Sequence, residues 1–258
     1  MVARIDRIGE ENINNFGSKM IIIKYKNANN IDVYFPEYNW TFEHTRYGDF
    51  KKGKIKCVYE SRTYGVGYLG EGKYKSKENG KKTKCYDTWH SMLQRGYDDN
   101  FKRKRSTYKE CEVCEEWHNF QTFAHWYNDN YYEIPGERMH LDKDILCKGN
   151  KVYSRDTCVF VPQRINSLFI KCDKSRGNDP IGMTLRPSGN YQVYCKNGYG
   201  KSDYLGVYST KEEAFQVYKN YKEKLIKEVI DSYEGIIPEP HYSKLKEAMY
   251  NYKVEIDD

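Results

Sequence analysis

The longest compact apolar run in this chain is Met20-Ile21-Ile22-Ile23. A membrane-spanning helix needs roughly 18 consecutive apolar residues, so none is expected. Short apolar runs separated by polar stretches also argue against one large core. Charged residues make up 31% of the 258 positions and the apolar set 38%. A chain of that length and polarity is expected to fold as several small domains. The opening residues, MVARIDRIGEEN, lack the apolar middle of a secretory signal. The eight cysteines are therefore read as reduced thiols in a cytosol rather than as a disulfide framework. The 26 tyrosines suit half-buried positions in small sheets and surfaces that touch polar polymers.

The charge is unevenly placed. Between Lys73 and Lys109 twelve basic residues stand against four acids, a local +8 that exceeds the +6 of the whole chain. Between Asp231 and Asp258 seven acids face three lysines. A basic middle with an acidic end points to a polyanion partner for the middle. The Gly- and Ser-containing stretch Lys73–Lys84 reads equally as a solvated linker. The run Lys102, Arg103, Lys104 and Arg105, beside aromatics, favours phosphate contact.

The pattern implies an α+β, multidomain chain. Residues 1–57 hold short β-forming runs at Lys19–Tyr25, Ile31–Phe35 and Trp40–His44, expected to close as a small SH3-like β unit. Residues 58–84 are rich in Gly and Lys and read as a linker. In 85–175, Cys85, Trp89, Met92 and Leu93 mark a helix ending near Gly96, and a second helix is expected from Glu115 to Asn128. A strand over Met139–Leu146, a second over Cys158–Val161 and a helix from Pro162 follow. In 176–235, three strands (Ile181–Arg186, Tyr191–Lys196, Tyr204–Tyr208) precede a helix whose start is marked by Ser209 and Thr210 with Glu212 and Glu213. Its expected buried stripe is Ala214, Tyr218, Tyr221, Leu225 and Val229. Residues 236–258 read as an acidic tail.

Strand alternation assigns faces to the last sheet. Met183, Leu185, Val193, Cys195, Leu205 and Val207 are expected to face the helix. Thr184, Arg186, Gln192, Tyr194, Lys196, Tyr204 and Tyr208 are expected on the other face. A ribbon carrying such donors and aromatic plates can lie in a major groove and read base edges; an ordinary solvent-facing sheet is the plainer reading.

The segment GMTLRPSGNYQVYCKNGYGKSDYLGVYSTKEEAFQVY resembles the plant ethylene-response-factor, or Apetala-type, DNA-binding domain. That resemblance implies a three-stranded sheet on one helix, with Arg186, Gln192 and Tyr194 where the family's base readers would sit. The stretch HLDKDILCKGNKVYSRDTCVFVPQRIN resembles the HNH (ββα-metal) segment of phage homing endonucleases. It implies a divalent-metal site for phosphodiester hydrolysis, with Asp142 and Asn166 on Mg²⁺. Two positions depart from the family. Lys143 stands where the general-base His belongs, and Thr157 where its orienting Asn belongs. A lysine near its ordinary pKa is protonated at neutral pH and is a poor base. A rebuilt site would use His140, Asp142 and Asp144, which share strand parity, with His140 or Lys143 near the attacking water. Cys111-x-x-Cys114 has zinc spacing but lacks a second pair; a structural zinc there competes with plain buried thiols.

Two functions from different classes follow. One is a Mg²⁺-dependent site-specific DNA endonuclease. The other is a non-catalytic DNA-binding regulator, or a phage accessory or inhibitor protein, that keeps the nuclease fold. Both imply double-stranded DNA as partner, a monomer or homodimer, and the cytoplasm of a phage-infected or lysogenic bacterium.

Overall fold

The computed structural model describes residues 6–170 and 180–256. The expected boundary between the second and third domains, near 175, lies outside the described residues. The chain is mixed α+β and divides into two compact units, Met1–Lys109 with Glu115–His125, and Glu110–Cys114 with Trp126–Asp258. Among the described residues no helix is long and apolar enough to cross a membrane.

The first unit opens with an antiparallel four-stranded meander, β1 (Glu11–Ile13), β2 (Lys19–Asn27), β3 (Asn30–Phe35) and β4 (Trp40–Thr45), paired in chain order. Its inward positions Met20, Ile22, Ile31, Val33 and Phe35 are buried with Phe50, from the short helix α1 (Tyr47–Lys51), and with Ile55 and Cys57. Alternation along β2 and β3 accounts for that core. Helices α2 (Lys84–Tyr97), α3 (Asp99–Lys104) and the first half of α4 (Phe120–Asn130) follow. The second expected helix begins instead as a short 3-10 turn, Glu115–His118. Trp89 and Trp117 are fully buried, and the Trp89 indole donates to the Trp117 carbonyl at 2.8 Å.

Residues 58–84, expected as a linker, are tied down along their length. Tyr68 N–H donates to the His118 carbonyl, and Phe120 N–H to the Tyr68 carbonyl, each at 2.9 Å. Gly67 lies so close to α2 that an added Cβ would meet the Trp89 ring at 3.0 Å. Glycine serves here for close approach rather than for flexibility. Beyond it, β5 (Lys77–Glu78) and β6 (Lys81–Lys82) form a hairpin.

The second unit contains the pieces of a ββα motif. Strand β8 (Met139–Asp142) pairs antiparallel with β10 (Val159–Pro162), and α5 (Gln163–Leu168) follows directly. Between them, β9 (Val152–Tyr153) pairs in parallel with β7 (Glu112–Val113). The C-terminal part is a three-stranded antiparallel sheet, β11 (Met183–Leu185), β12 (Tyr191–Lys196) and β13 (Ser202–Tyr208), backed by the long helix α6 (Lys211–Asp231). Thr210 caps α6 by accepting the Glu213 N–H at 3.2 Å.

Two features differ from the expected organisation. The stretch 85–175 is shared between the units, because α2 packs in the first while β8, β10 and α5 build their core with α6. Val159, Val161, Ile165 and Leu168 share one cluster with Ile226, Val229 and Ile230. Residues 236–258 carry a helix, α7 (His241–Asn251), whose Tyr242, Leu245 and Met249 belong to the same cluster. Glu239, Glu247 and Glu255 are exposed, while the buried residues of α7 form an apolar stripe spaced i, i+3, i+7.

Candidate nucleic-acid interface and carboxylate pair

The ββα element places the HNH-like residues. Register pairs His140 with Val161 and Asp142 with Val159, so both polar side chains share the face that carries the α5 core. The strand stops at Asp142, four residues short of the expected Leu146. The cause is local: Asp142 Oδ1 accepts the N–H groups of Asp144 at 2.9 Å and Ile145 at 2.8 Å, an Asx-type turn. Strand parity therefore does not extend to Asp144, and the expected one-sided row His140, Asp142, Asp144 is broken after its second member.

Burial pushes the Asp142 carboxyl up to about 6, and the neighbouring charge of Asp144 pushes in the same direction. Lys143 is buried at 7% exposure. Its ammonium donates to the Asn150 carbonyl at 3.0 Å and lies 3.4 Å from an Asp144 oxygen, with the Tyr153 ring 5.8 Å away. A lysine so held neutralises Asp144 and closes a loop rather than facing a water. Asn150 completes the closure by donating to the Lys143 carbonyl and the Val152 carbonyl, each at 2.7 Å. Thr157, in the position of the family's orienting Asn, bonds Val152 and Ser154.

Asp142 Oδ1 accepts two backbone N–H groups and Asp144 is paired with Lys143. Asn166 lies on α5, and no group of three His, Cys, Asp or Glu side chains placed to hold a metal occurs among the described residues. Cys111 and Cys114 flank β7, and the Cys114 N–H is taken by the Tyr153 carbonyl at 2.9 Å. Cys158 is the thiol that approaches this pair: burial pushes it up, and the charges of Asp142 and Cys114 add to the effect.

The outer face of β11–β13 contrasts with that loop. Thr184, Arg186, Tyr194, Lys196 and Tyr204 are exposed, as expected, with Gln192 half-buried among them. Arg186 Nε donates to Gln192 Oε1 at 3.0 Å, and Gln192 Nε2 donates to the Tyr194 hydroxyl at 2.6 Å. The Tyr194 and Tyr204 rings lie 5.3 Å apart. Together these side chains form a continuous strip of donors and aromatic plates.

A bulge alters the expected facing at one end. The β12–β13 register shifts between Val193 and Tyr194: Val193 pairs with Gly206, while Tyr194 pairs with Tyr204. Gly206 has a φ of +123°, which a side chain tolerates poorly. The shift brings Val207 to the outer face at 37% exposure and turns Tyr208 toward the helix-side core, its hydroxyl donating to the Leu205 carbonyl at 2.8 Å. Leu185, expected to face the helix, is 51% exposed.

In the first unit, Lys102 and Lys104 lie on α3 and Arg105 follows it. Arg103, Lys104 and Arg105 are exposed. Asp98 caps the helix by accepting the Asn100 and Phe101 N–H groups, and the Arg105 guanidinium lies 5.5 Å from the Phe101 ring. The basic run thus occupies the C-terminal end of a short helix, where cations are favoured by its dipole.

The sequence reading missed two features that matter here. Asn150 staples the Lys143 loop through its side-chain amide, a role that no spacing in the sequence marks. Lys222 is buried beneath the sheet, where burial lowers its pKa. No family model, no curated protein and no solved structure matches the chain.

Proposed function

We propose that this chain is a duplex-DNA-binding protein that keeps a ββα scaffold without using it for hydrolysis. The observation that carries the reading is the outer strip of β11–β13, where Arg186, Gln192 and Tyr194 are linked in one hydrogen-bonded row beside Tyr204 and Lys196. A β-ribbon can lie in a major groove, and Arg and Gln are side chains that pair bidentately with base edges. The Apetala-type resemblance gives the same assignment. Lys102, Arg103, Lys104 and Arg105 would add sequence-independent phosphate contacts.

The ββα element supports the non-catalytic form of this reading. Its Lys143 donates to the Asn150 carbonyl and its Asp142 Oδ1 accepts two backbone N–H groups, contacts that favour a structural over a hydrolytic role. The test uses supercoiled plasmid and linear duplex with Mg²⁺, Mn²⁺ or EDTA. Retarded but uncut DNA in all three conditions is the expected result. Metal-dependent nicking that disappears in Asp142→Ala would overturn the non-catalytic part and restore the endonuclease reading. Absence of retardation at low salt would overturn the whole.

A further inference from the structure

The strand positions of the β5–β6 hairpin carry three lysines and one glutamate. Lys77 and Lys82 face each other directly across its ladder, with Glu78 opposite Lys81. Like charges in that position repel and weaken a pair of strands. The ladder is only two residues long on each side, so it has little pairing energy to offset the repulsion. Lys82 reaches Asp87 at 3.8 Å and lies 5.6 Å from the Tyr86 ring. Among the described residues, Lys73, Lys75, Lys77 and Lys81 make no ion pair, and all four are exposed.

The hairpin is nevertheless firmly placed. Its turn is Asn79-Gly80, with φ of 49° and 76°, the left-handed pair that a tight two-residue hairpin needs. Its exit is anchored by Thr83. That residue donates its hydroxyl to the Lys75 carbonyl at 3.1 Å and its N–H to the Ser76 carbonyl at 3.1 Å, and its Oγ1 accepts the Tyr86 N–H at 3.2 Å as the cap of α2. One threonine therefore joins the base of the ribbon to the positive end of a fourteen-residue helix. A lysine-rich ribbon whose Lys77 and Lys81 make no ion pair among the described residues, held at a helix N-terminus, is an electrostatic arrangement that a polyanion would relieve.

We propose that the Lys77–Lys82 ribbon is a phosphate-backbone contact for the duplex, with Lys77 and Lys81 as its main charges and Lys73 and Lys75 along its approach. This inference rests on the DNA-binding reading above and adds to it a phosphate contact distinct from the Lys102, Arg103, Lys104 and Arg105 run. It predicts sequence-independent affinity, because phosphates carry no base identity.

The test measures binding of the full chain to a random-sequence duplex by fluorescence anisotropy across a series of salt concentrations. Lys77→Gln with Lys81→Gln is compared with a charge-matched control, Lys211→Gln with Lys224→Gln, which lie exposed on α6. The ribbon variant is expected to bind roughly tenfold or more weakly at low salt, and its log–log salt slope to fall by about 1.8, two phosphate contacts' worth. The control is expected to change affinity less than threefold. Equal losses in ribbon variant and control would reduce the effect to net charge and overturn the inference. So would a ribbon variant that binds like wild type, which leaves the DNA-binding reading standing. If the wild-type chain binds no duplex, both fall together.

Discussion

The Asp142–Asn150 loop and the outer strip of β11–β13 are built from similar residue types, yet the fold spends them differently. In the loop, a carboxylate, an ammonium and an amide are turned on the backbone: Asp142 accepts two N–H groups, Lys143 donates to the Asn150 carbonyl, and Asn150 donates to the Lys143 carbonyl. On the strip, an arginine, a glutamine and two tyrosines contact one another through their side chains at the surface. Polar groups committed to backbone stabilise a conformation, whereas polar groups left at the surface can exchange water for a ligand at little structural cost. Similar residue types can thus close a loop in one place and line a surface in another.

The largest difference should appear in stability. Leu245→Ala removes a fully buried side chain from the cluster that β8, β10 and α5 share with α6 and α7, and should cost about 2–5 kcal/mol in denaturant melts. Tyr204→Ala, on the 58% exposed outer strip, should cost less than about 0.5 kcal/mol. A neutral Leu245→Ala would mean that residues 236–258 are a tail after all.

Next comes the pH dependence of the loop. The Asp142 carboxyl stands at about 6 in the folded chain against an ordinary 3.8. Between those values the folded state holds a proton that the unfolded state has released. The contribution of Asp142 to stability therefore falls as pH rises from about 4 to about 6, by on the order of 2–3 kcal/mol. Asp142→Asn should flatten this fall relative to wild type when melts are recorded across the window. Parallel profiles for the two proteins would refute the raised carboxyl.

Arg186→Ala should leave the melt unchanged and weaken duplex binding by about 1–3 kcal/mol in a gel-shift titration, with relaxed sequence preference. Lys143→Gln should do the reverse, lowering the melt without altering DNA affinity. Thr210→Ala removes the α6 cap and should cost about 1 kcal/mol in the same melts; a change within error would mean that Glu212 and Glu213 alone secure that helix start.

Where the fold was legible in the chain, local signals agreed with tertiary packing. The β2 and β3 alternation, the α2 stripe and the Thr210 cap each read correctly because burial reinforced the local preference. The α6 stripe was rotated in part: Lys222 and Ile226 are buried where Tyr221 and Leu225 were expected, because a lysine stem can lie under a sheet while a tyrosine reaches out to Asp203 at 2.7 Å. The end of β8 was illegible because a side-chain turn at Asp142 overrides a β-forming sequence. The facing of Val207 and Tyr208 was illegible because a bulge shifts parity without any local mark except Gly206. The candidate base-facing strip survived these errors, since Thr184, Arg186, Gln192, Tyr194 and Lys196 precede the shift or lie on the strand that keeps its alternation. The one-sided row His140, Asp142 and Asp144 did not, because it depended on strand parity continuing to Asp144.

One titration decides whether the strip is an interface. Labelled duplex is titrated with wild-type chain and with an Arg186→Ala, Tyr194→Ala, Tyr204→Ala variant at about 50 mM and about 200 mM salt. The expected result is salt-sensitive binding by the wild type and a loss of at least tenfold in the variant at both concentrations, with an unchanged melting temperature. Binding by the variant equal to that of the wild type would contradict the account.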